Sequence, residues 1–329
     1  MEGLLYNSWD IINLYIMNEK ATFFGHPIGL RTLFLTEMWE RMSYYGMRGI
    51  LVLFMTAAIT EGGLEIDAVS ASAIYGIYSA SVYLVALIGG WLADRHIGQQ
   101  SAILYGGFII MIGHFLLAFT NLQTFYLGLI FVVLGTGLLK PNISAIVGGL
   151  YENDIEKKES GFTIFYMAIN IGSVLGFFIC GFLGENIGWH YGFGLAGIGM
   201  AIGQLVYFYG LQYLDGVGEF IGSDKSPDKE LMNKPLTKVE KDRMLVMFLS
   251  FLIIIVFWGA FEQAGGLMNL YTEQKTDRSL ALPFMENEFI VPAAIFQSIN
   301  AFFIIIFALV VDRLWRKWSK NCLLYTSDA

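Results

Sequence analysis

Charged residues are scarce in this chain. Only 15% of its 329 residues are Asp, Glu, Lys or Arg, whereas 56% are hydrophobic and 16% are aromatic. A soluble domain does not have this balance, so the composition predicts a helical protein that crosses a membrane several times. The net charge of −8 says little about partners, because most of the charge lies in loops.

Cysteines are also few, and their positions exclude a disulfide framework. Cys180 lies in the middle of a predicted helix and Cys322 near the carboxyl end. The chain has no evident cleavable signal, so the first membrane-spanning helix would serve as the insertion signal. We expect no metal site, no cofactor and no nucleic-acid partner.

Eight apolar segments are long enough to cross a bilayer as helices. They cover residues 32–56, 69–93, 101–119, 123–150, 160–184, 190–214, 244–268 and 289–312. Of the 20 Lys and Arg residues, three lie within these spans, two (Lys275 and Arg278) lie on one side of the membrane, and the remaining fifteen lie on the other. Since positively charged loops stay in the cytoplasm, both termini are predicted to be cytoplasmic.

The two ends of the chain differ from the rest. Residues 1–16 precede Met17, which begins a more natural cytoplasmic start, and residues 321–329 do not continue the pattern before them. We expect a non-native leader in the first segment and a foreign or read-through tail in the second. The rest divides into a six-helix bundle at 17–214, a cytoplasmic linker at 215–243 and two further helices at 244–320.

The first predicted span contains an unusual cluster of polar residues. They are Glu37, Glu40, Arg41, Tyr44, Tyr45 and Arg48. On a helix these side chains share one arc of about 140°. Four charges facing lipid would cost on the order of 10 kcal/mol, so this face must point into protein or a water-filled cavity. A structural ion-pair cluster is the alternative, but charges inside a membrane usually mark a functional site.

The second span contains two further motifs. It carries Tyr75, Tyr78 and Tyr83, and aromatic residues in such a span are mainly packing residues. It ends in Gly89-Gly90 followed by Asp94-Arg95. The glycines predict close helix packing and the charged pair predicts a gate, with an ordinary solvated helix end as the alternative.

The fourth and fifth spans each place one strongly polar residue inside the membrane. Lys140, followed by Pro141, is too costly to leave in lipid unless its side chain reaches the membrane surface. Asn170 is either a hydrogen-bonding residue between helices or part of a site.

Together these motifs resemble those of the proton-dependent oligopeptide transporter family, a branch of the major facilitator superfamily. The matching segments, in order, are Glu37-x-x-Glu40-Arg41-x-x-Tyr44-Tyr45-Gly46, Ala93-Asp94-Arg95, Lys140-Pro141-Asn142, Phe165-Tyr166 with Asn170-x-Gly172-Ser173, and Phe257-Trp258-Gly-Ala-Phe261-Glu262-Gln263. The resemblance covers about residues 24–315. It implies an all-α membrane protein with the major facilitator fold, of which this chain holds the complete first six-helix bundle and the first two helices of the second.

The resemblance also implies a function and a site. It implies symport of di- and tripeptides with protons by alternating access, in a bacterial inner (plasma) membrane. The residues assigned to proton coupling are Glu37, Glu40, Arg41 and Lys140. Those assigned to substrate binding are Arg41, Tyr44, Tyr45, Arg48, Tyr83, Lys140, Asn170 and Glu262, with Glu262 paired to Arg48 across the two bundles. Asp94 and Arg95 are assigned to gating.

Charge balance supports a carrier of anionic groups. Away from their ends, the spans hold three cations and three acids, so protonation of one carboxylate leaves a positive charge that favours a peptide carboxylate. A proton-coupled carrier of nitrate or another small anion is the alternative.

An enzyme is not expected, since His114 is the one histidine well inside a span and no span has two aspartates. With two helices in the second bundle, this chain is expected not to transport alone. The sequence leaves its oligomeric state open.

Overall fold

The computed structural model describes residues 22–119, 121–152, 154–220, 237–281 and 288–319. The predicted leader at 1–16, the predicted tail at 321–329 and residues 221–236 of the predicted linker lie outside the described residues.

Six helices form a bundle in the first part of the chain. They are α1 (Gly29–Thr56), α2 (Ala68–Leu92), α3 (Gln99–Leu117), α4 (Leu122–Gly149), α5 (Ile155–Asn186) and α6 (Trp189–Gly210). Helix α1 packs mainly against α5 and α6, α3 packs against α4, and α2 packs against α4. Of the 28 residues of α1, 21 are buried, so this helix lies at the centre of the bundle.

Polar side chains mark the starts of several helices. Asp67 accepts hydrogen bonds from the backbone N–H groups of Val69 and Ser70, and Asn121 accepts one from Thr124. Thr237 forms a reciprocal capping box with Glu240. These caps satisfy N–H groups that have no partner within the helix, which is why the helices begin where the apolar segments start.

The second part of the chain is less compact. It contains α7 (Lys238–Phe261), a short 3₁₀ turn (Glu262–Ala264), α8 (Leu267–Lys275), α9 (Ala293–Phe296) and α10 (Ser298–Ser319). Helices α9 and α10 pack against α5. In α7, no described residue is buried.

Two small β-hairpins add to the helices that the sequence predicts. Strands β1 (Thr22–Phe23) and β2 (His26–Pro27) pair ahead of α1, and β3 (Ser279–Leu280) pairs with β4 (Phe289–Ile290) between α8 and α9. Phe24 and Gly25, which join β1 to β2, both have positive φ angles, as a tight hairpin turn requires.

Each of the eight predicted spans overlaps a helix, but the span at 244–268 is interrupted after Phe261 and the span at 289–312 begins in strand β4. The membrane criterion selects fewer than eight. Among the described residues, six helical segments are long and apolar enough to cross a membrane: Ala68–Ile97, Gln99–Leu117, Leu122–Gly149, Lys157–Asn186, Trp189–Tyr213 and Lys238–Lys275. Helix α1 is excluded by its charged residues, and the apolar part described in the last helix, Ala293–Ala308, is short. The chain is thus a multi-pass helical membrane protein, and the count of eight stays a prediction.

Helices α2 and α4 cross at two glycines. A Cβ atom on Gly89 would overlap the backbone carbonyl of Gly137, and one on Gly137 would overlap the side chain of Val85. Pro141 lies four residues after Gly137 and has no N–H to offer that carbonyl. The close packing that the sequence predicts at Gly89 is therefore present.

Candidate functional site

Glu37, Glu40 and Arg41 form a buried ion cluster on α1. Arg41 Nε lies 3.1 Å from Glu37 Oε1, and Arg41 Nη2 donates a hydrogen bond of 2.7 Å to Glu40 Oε1. A second bond joins Arg41 Nε to Glu40 Oε2. Each of the three residues is at most 3% exposed. With two carboxylates and one guanidinium, the fully ionised cluster has a net negative charge that one proton would cancel.

A second charged group joins α1 to the turn after α7. Arg48 Nη2 lies 2.9 Å from Glu262 Oε2, so the pair that the family resemblance implies is present. Arg48 Nε also donates to the Tyr75 hydroxyl at 2.7 Å. The Tyr75 and Tyr83 hydroxyls in turn donate to the Glu262 carboxylate at 3.4 and 3.2 Å. Both charges are thus held by hydrogen bonds as well as by each other.

Lys140 differs from the two arginines. Its ammonium lies 4.7 Å from the centre of the Tyr83 ring, a cation–π contact. Within the described part of the chain, no carboxylate lies within ion-pair distance of this ammonium. Lys140 therefore contributes a positive charge to the cavity without a direct counter-charge.

Four of these charged groups line a cavity of about 510 Å³ between the first bundle and the helices that follow it: Arg41, Arg48, Lys140 and Glu262. This volume is within the usual range for small-molecule sites. All eight residues that the sequence assigns to substrate binding line the cavity: Arg41, Tyr44, Tyr45, Arg48, Tyr83, Lys140, Asn170 and Glu262. Trp258 and Asn300 line it from the other side. The roles of these residues stay predictions, but the fold brings all of them together.

The remaining predicted residues lie apart from the cavity wall. Glu37 and Glu40 are buried behind Arg41, which does line it. Asp94 and Arg95 are exposed on a π-helical turn, Ala93–Ile97. Asp94 accepts a hydrogen bond from Gln99 at 3.3 Å, and the Arg95 guanidinium lies 5.9 Å from the Trp91 ring centre. Their gating role stays a prediction.

Sequence reasoning missed two residues that connect the parts of the site. Tyr75, interpreted as a packing residue, is 4% exposed and contacts both Arg48 and Glu262. Asn269 is 1% exposed and donates to the Gly49 carbonyl at 2.7 Å. It lies one residue beyond the predicted span 244–268. The spacing of Tyr75 and Tyr83, eight residues along one helix, is the signal that could have grouped the two tyrosines.

Comparison with known proteins identifies a family that matches this chain. A family model described as the POT family matches residues 100–218 and 222–327. The chain is 36% identical to the peptide transporter YePEPT of Yersinia enterocolitica subsp. palearctica, over 91% of this chain and 69% of that relative. It is 35% identical to a di-/tripeptide transporter of Lactococcus lactis subsp. lactis, over 92% of this chain and 72% of that relative.

Solved structures match over the same extent. A crystal structure of peptide transporter POT in complex with sulfate has a TM-score of 0.76 and 35% identity, covering 92% of this chain and 71% of that one. A crystal structure of a POT family transporter in complex with 5-aminolevulinic acid has a TM-score of 0.74 and 31% identity, covering 92% and 73%. Sequence and fold therefore point to the same group of proteins.

Proposed function

Because this chain belongs to the POT family, we propose that it carries di- and tripeptides together with protons by alternating access. The relatives from Yersinia and Lactococcus are named peptide and di-/tripeptide transporters, which supports the choice of substrate. The proposal rests chiefly on Lys140, a cation at the cavity wall with no carboxylate beside it among the described residues. A peptide's terminal carboxylate is the group that such a cation would bind.

The charges around the cavity suggest how peptide and proton are linked. The Glu37, Glu40 and Arg41 cluster has one negative charge in excess, Arg48 and Glu262 balance each other, and Lys140 has one positive charge in excess. A proton on the cluster would remove the negative excess and leave Lys140 uncompensated. In a cavity with low dielectric constant, that state favours entry of a carboxylate. Binding of proton and peptide would then be coupled through charge alone.

Ligands of the solved relatives support an anion-binding cavity. One relative was solved with sulfate, an anion, and another with 5-aminolevulinic acid, which is by name an amino-substituted acid. A dipeptide likewise carries an amino group and a carboxylate. On this basis Arg48, Lys140 and Tyr45 would hold the carboxylate, while Glu262 and Asn170 would face the amino end. The Asn170 Nδ2 group donates to the Tyr166 carbonyl at 2.9 Å, which leaves Oδ1 as its acceptor.

We further propose the major facilitator arrangement of eight spans, with both termini in the cytoplasm of a bacterial inner membrane. The fifteen-to-two distribution of Lys and Arg supports this orientation. A reporter that is active only outside the cytoplasm should give no signal when fused after Asp215 and a signal when fused after Gln274. The reverse pair of results would contradict the orientation.

Binding to the purified chain tests the substrate. Trp258 lines the cavity, so titration with dialanine should change tryptophan fluorescence, and excess nitrate should not compete. Lys140→Ala should weaken binding about tenfold or more, because it removes a charge-assisted hydrogen bond. Lys241→Ala, an exposed lysine on α7, is the matched control and should leave binding unchanged. Binding of nitrate without binding of dialanine would instead favour the small-anion carrier.

Vesicle assays test coupling. The coupling variants are made in a transport-active protein that carries these residues. Glu40→Gln mimics a permanently protonated acid. It should keep peptide exchange and lose uphill uptake driven by a proton gradient, whereas the exposed control Glu159→Gln should keep both. A Glu40→Gln protein that still concentrates dialanine would refute the coupling role.

A further inference from the structure

Glu185, one residue before the end of α5, connects the first bundle to the start of α9. Its Oε2 accepts a hydrogen bond of 2.7 Å from the backbone N–H of Ala293, and its Oε1 accepts one of 2.9 Å from Ala294. Arg278 Nη1 lies 3.3 Å from the same Oε2. The side chains of Arg278 and Glu185 are 15% and 11% exposed. Both carboxylate oxygens are thus engaged in a site that is largely shielded from water.

The β3–β4 hairpin holds Arg278 in place. Arg278 Nη1 donates to the Val291 carbonyl at 2.9 Å, and the Val291 N–H donates to the Arg278 carbonyl at 2.9 Å. Because these two hydrogen bonds fix the side chain and the backbone of Arg278, its guanidinium is held beside Glu185.

The surfaces around Glu185 fit closely. Gly181 lies one helical turn before Glu185, and a Cβ atom there would lie 2.8 Å from the Cβ of Ala294. Such an approach is closer than two carbon atoms tolerate, so the contact requires glycine. The rings of Phe182 and Phe289 stack beside it, with centres 6.5 Å apart. A polar centre with tightly packed flanks therefore joins α5 to the segment around α9.

Other contacts between the two parts of the chain lie at the same end of the cavity. Arg48 pairs with Glu262, and Asn269 donates to Gly49. A Cβ atom on Gly49 would contact Phe177 of α5 and Ala294 of α9, which places Gly49 next to the Glu185 contact. By contrast, no described residue of α7 is buried. These described contacts join the two parts of the chain at the end that holds Glu185.

The Glu185 contact also borders a second cleft. A cleft of about 700 Å³ is lined by Glu185 and Arg278 together with Thr56 and Glu61. Water in this cleft would hydrate the Glu185 carboxylate and the Arg278 guanidinium when the two separate. The contact is therefore strong when closed and can open without leaving a charge buried.

We propose that Glu185 is a latch that keeps this end of the cavity closed, and that its release from Ala293, Ala294 and Arg278 is part of opening that end. This inference rests on the proposed function, since alternating access requires every contact between the two parts at one end to break when that end opens. Under the proposed orientation, the latch faces the exterior.

Access of a thiol reagent to the cavity tests the latch. Ser173 lines the cavity and is 6% exposed, so Ser173→Cys is the reporter in a chain with Cys180 and Cys322 replaced by alanine. A membrane-impermeant maleimide is added to intact cells for the exterior and to inverted membrane vesicles for the cytoplasmic side. Glu185→Ala should raise the labelling rate in intact cells about fivefold, the factor expected for a lost hydrogen bond, without raising it in inverted vesicles.

Two further variants make the result specific. Glu61→Ala removes an exposed carboxylate from the same cleft and should leave labelling unchanged. Gly181→Val should raise labelling in intact cells, because its side chain displaces Ala294.

The possible outcomes separate the latch from a simple loss of folding. An unchanged rate for Glu185→Ala, or an equal rise on both sides of the membrane, would refute the latch, since a loosened fold exposes the reporter thiol from both sides. A rise confined to inverted vesicles would support the latch and contradict the orientation. Labelling needs neither peptide nor a proton gradient, so failure of dialanine to bind would leave this result standing.

Discussion

Helices α1 and α7 reverse the relation between polarity and burial that is usual in soluble proteins. Helix α1 contains Glu37, Glu40, Arg41 and Arg48, and yet 21 of its 28 residues are buried. In α7 the stretch 244–261 has no charged residue, and no described residue of the helix is buried. In a membrane the surrounding lipid is as apolar as leucine, so charge must be shielded and an apolar helix need not be.

The difference separates a helix that holds buried charges from one whose apolar side chains are exposed. Arg41 and Arg48 of α1 line the cavity, and the rest of the first bundle buries Glu37 and Glu40. The turn that follows α7 contacts the first bundle, where Glu262 pairs with Arg48. Substitutions should therefore lower the free energy of unfolding strongly in α1 and weakly in α7.

The largest effect is expected from removal of the cation in the buried cluster. Arg41→Leu leaves Glu37 and Glu40 buried without a counter-charge, so the free energy of unfolding should fall by roughly 3–5 kcal/mol. Arg243→Leu removes an exposed arginine from α7 and should change it by less than about 0.5 kcal/mol. Denaturation in detergent micelles measures both. If the two variants are equally stable, the charges of α1 are not shielded as described.

A matched pair of isoleucines tests burial without charge. Ile50 in α1 is fully buried, whereas Ile253 in α7 is 73% exposed. Ile50→Ala should cost roughly 2–5 kcal/mol of unfolding free energy, because it leaves a cavity between packed helices. Ile253→Ala should cost less than about 0.5 kcal/mol. Equal losses, measured by the same denaturation, would mean that α7 is packed against protein.

Two glycines on α2 test close packing. A Cβ atom on Gly89 meets the Gly137 carbonyl, whereas one on Gly76 meets nothing within 4 Å. Gly89→Ala should therefore destabilise by roughly 1–3 kcal/mol through overpacking. Gly76→Ala should be neutral or stabilise by up to about 1 kcal/mol, since alanine restricts the unfolded chain. A Gly89→Ala protein as stable as Gly76→Ala would place the α2–α4 contact elsewhere.

The smallest effect is expected outside the membrane-spanning segments. His26 Nδ1 lies 2.8 Å from the Tyr151 hydroxyl, and burial, helped by the charge of Lys157, lowers the pKa of His26 below 6.5. Since the unfolded chain then binds the proton more tightly, stability should fall slightly as the pH drops below about 6.5. Melting midpoints at about pH 8 and pH 5.5 should differ less for His26→Gln than for the unaltered chain. An identical pH dependence would show that His26 does not contribute.

Much of the molecule follows from the sequence alone. Segments of apolar residues long enough to span a bilayer place the helices, because lipid leaves no other partner for backbone N–H and C=O groups. The cost of charge in lipid likewise requires the polar face of α1 to point inwards, and the motifs with Lys140, Asn170 and Glu262 indicate the family. All eight predicted substrate-binding residues line one cavity for these reasons.

The tertiary structure alone places Tyr75, Asn269 and Glu185 opposite their partners. Asn269 has no local pattern that separates it from packing residues. The contacts of Tyr75 with Arg48 and of Asn269 with Gly49 depend on how α1, α2 and α8 cross. Glu185 is typical of an ordinary helix end until α9 is placed opposite it. Local sequence fixes which side a residue occupies on its own helix, but partners 100 or more residues away depend on packing of the whole bundle.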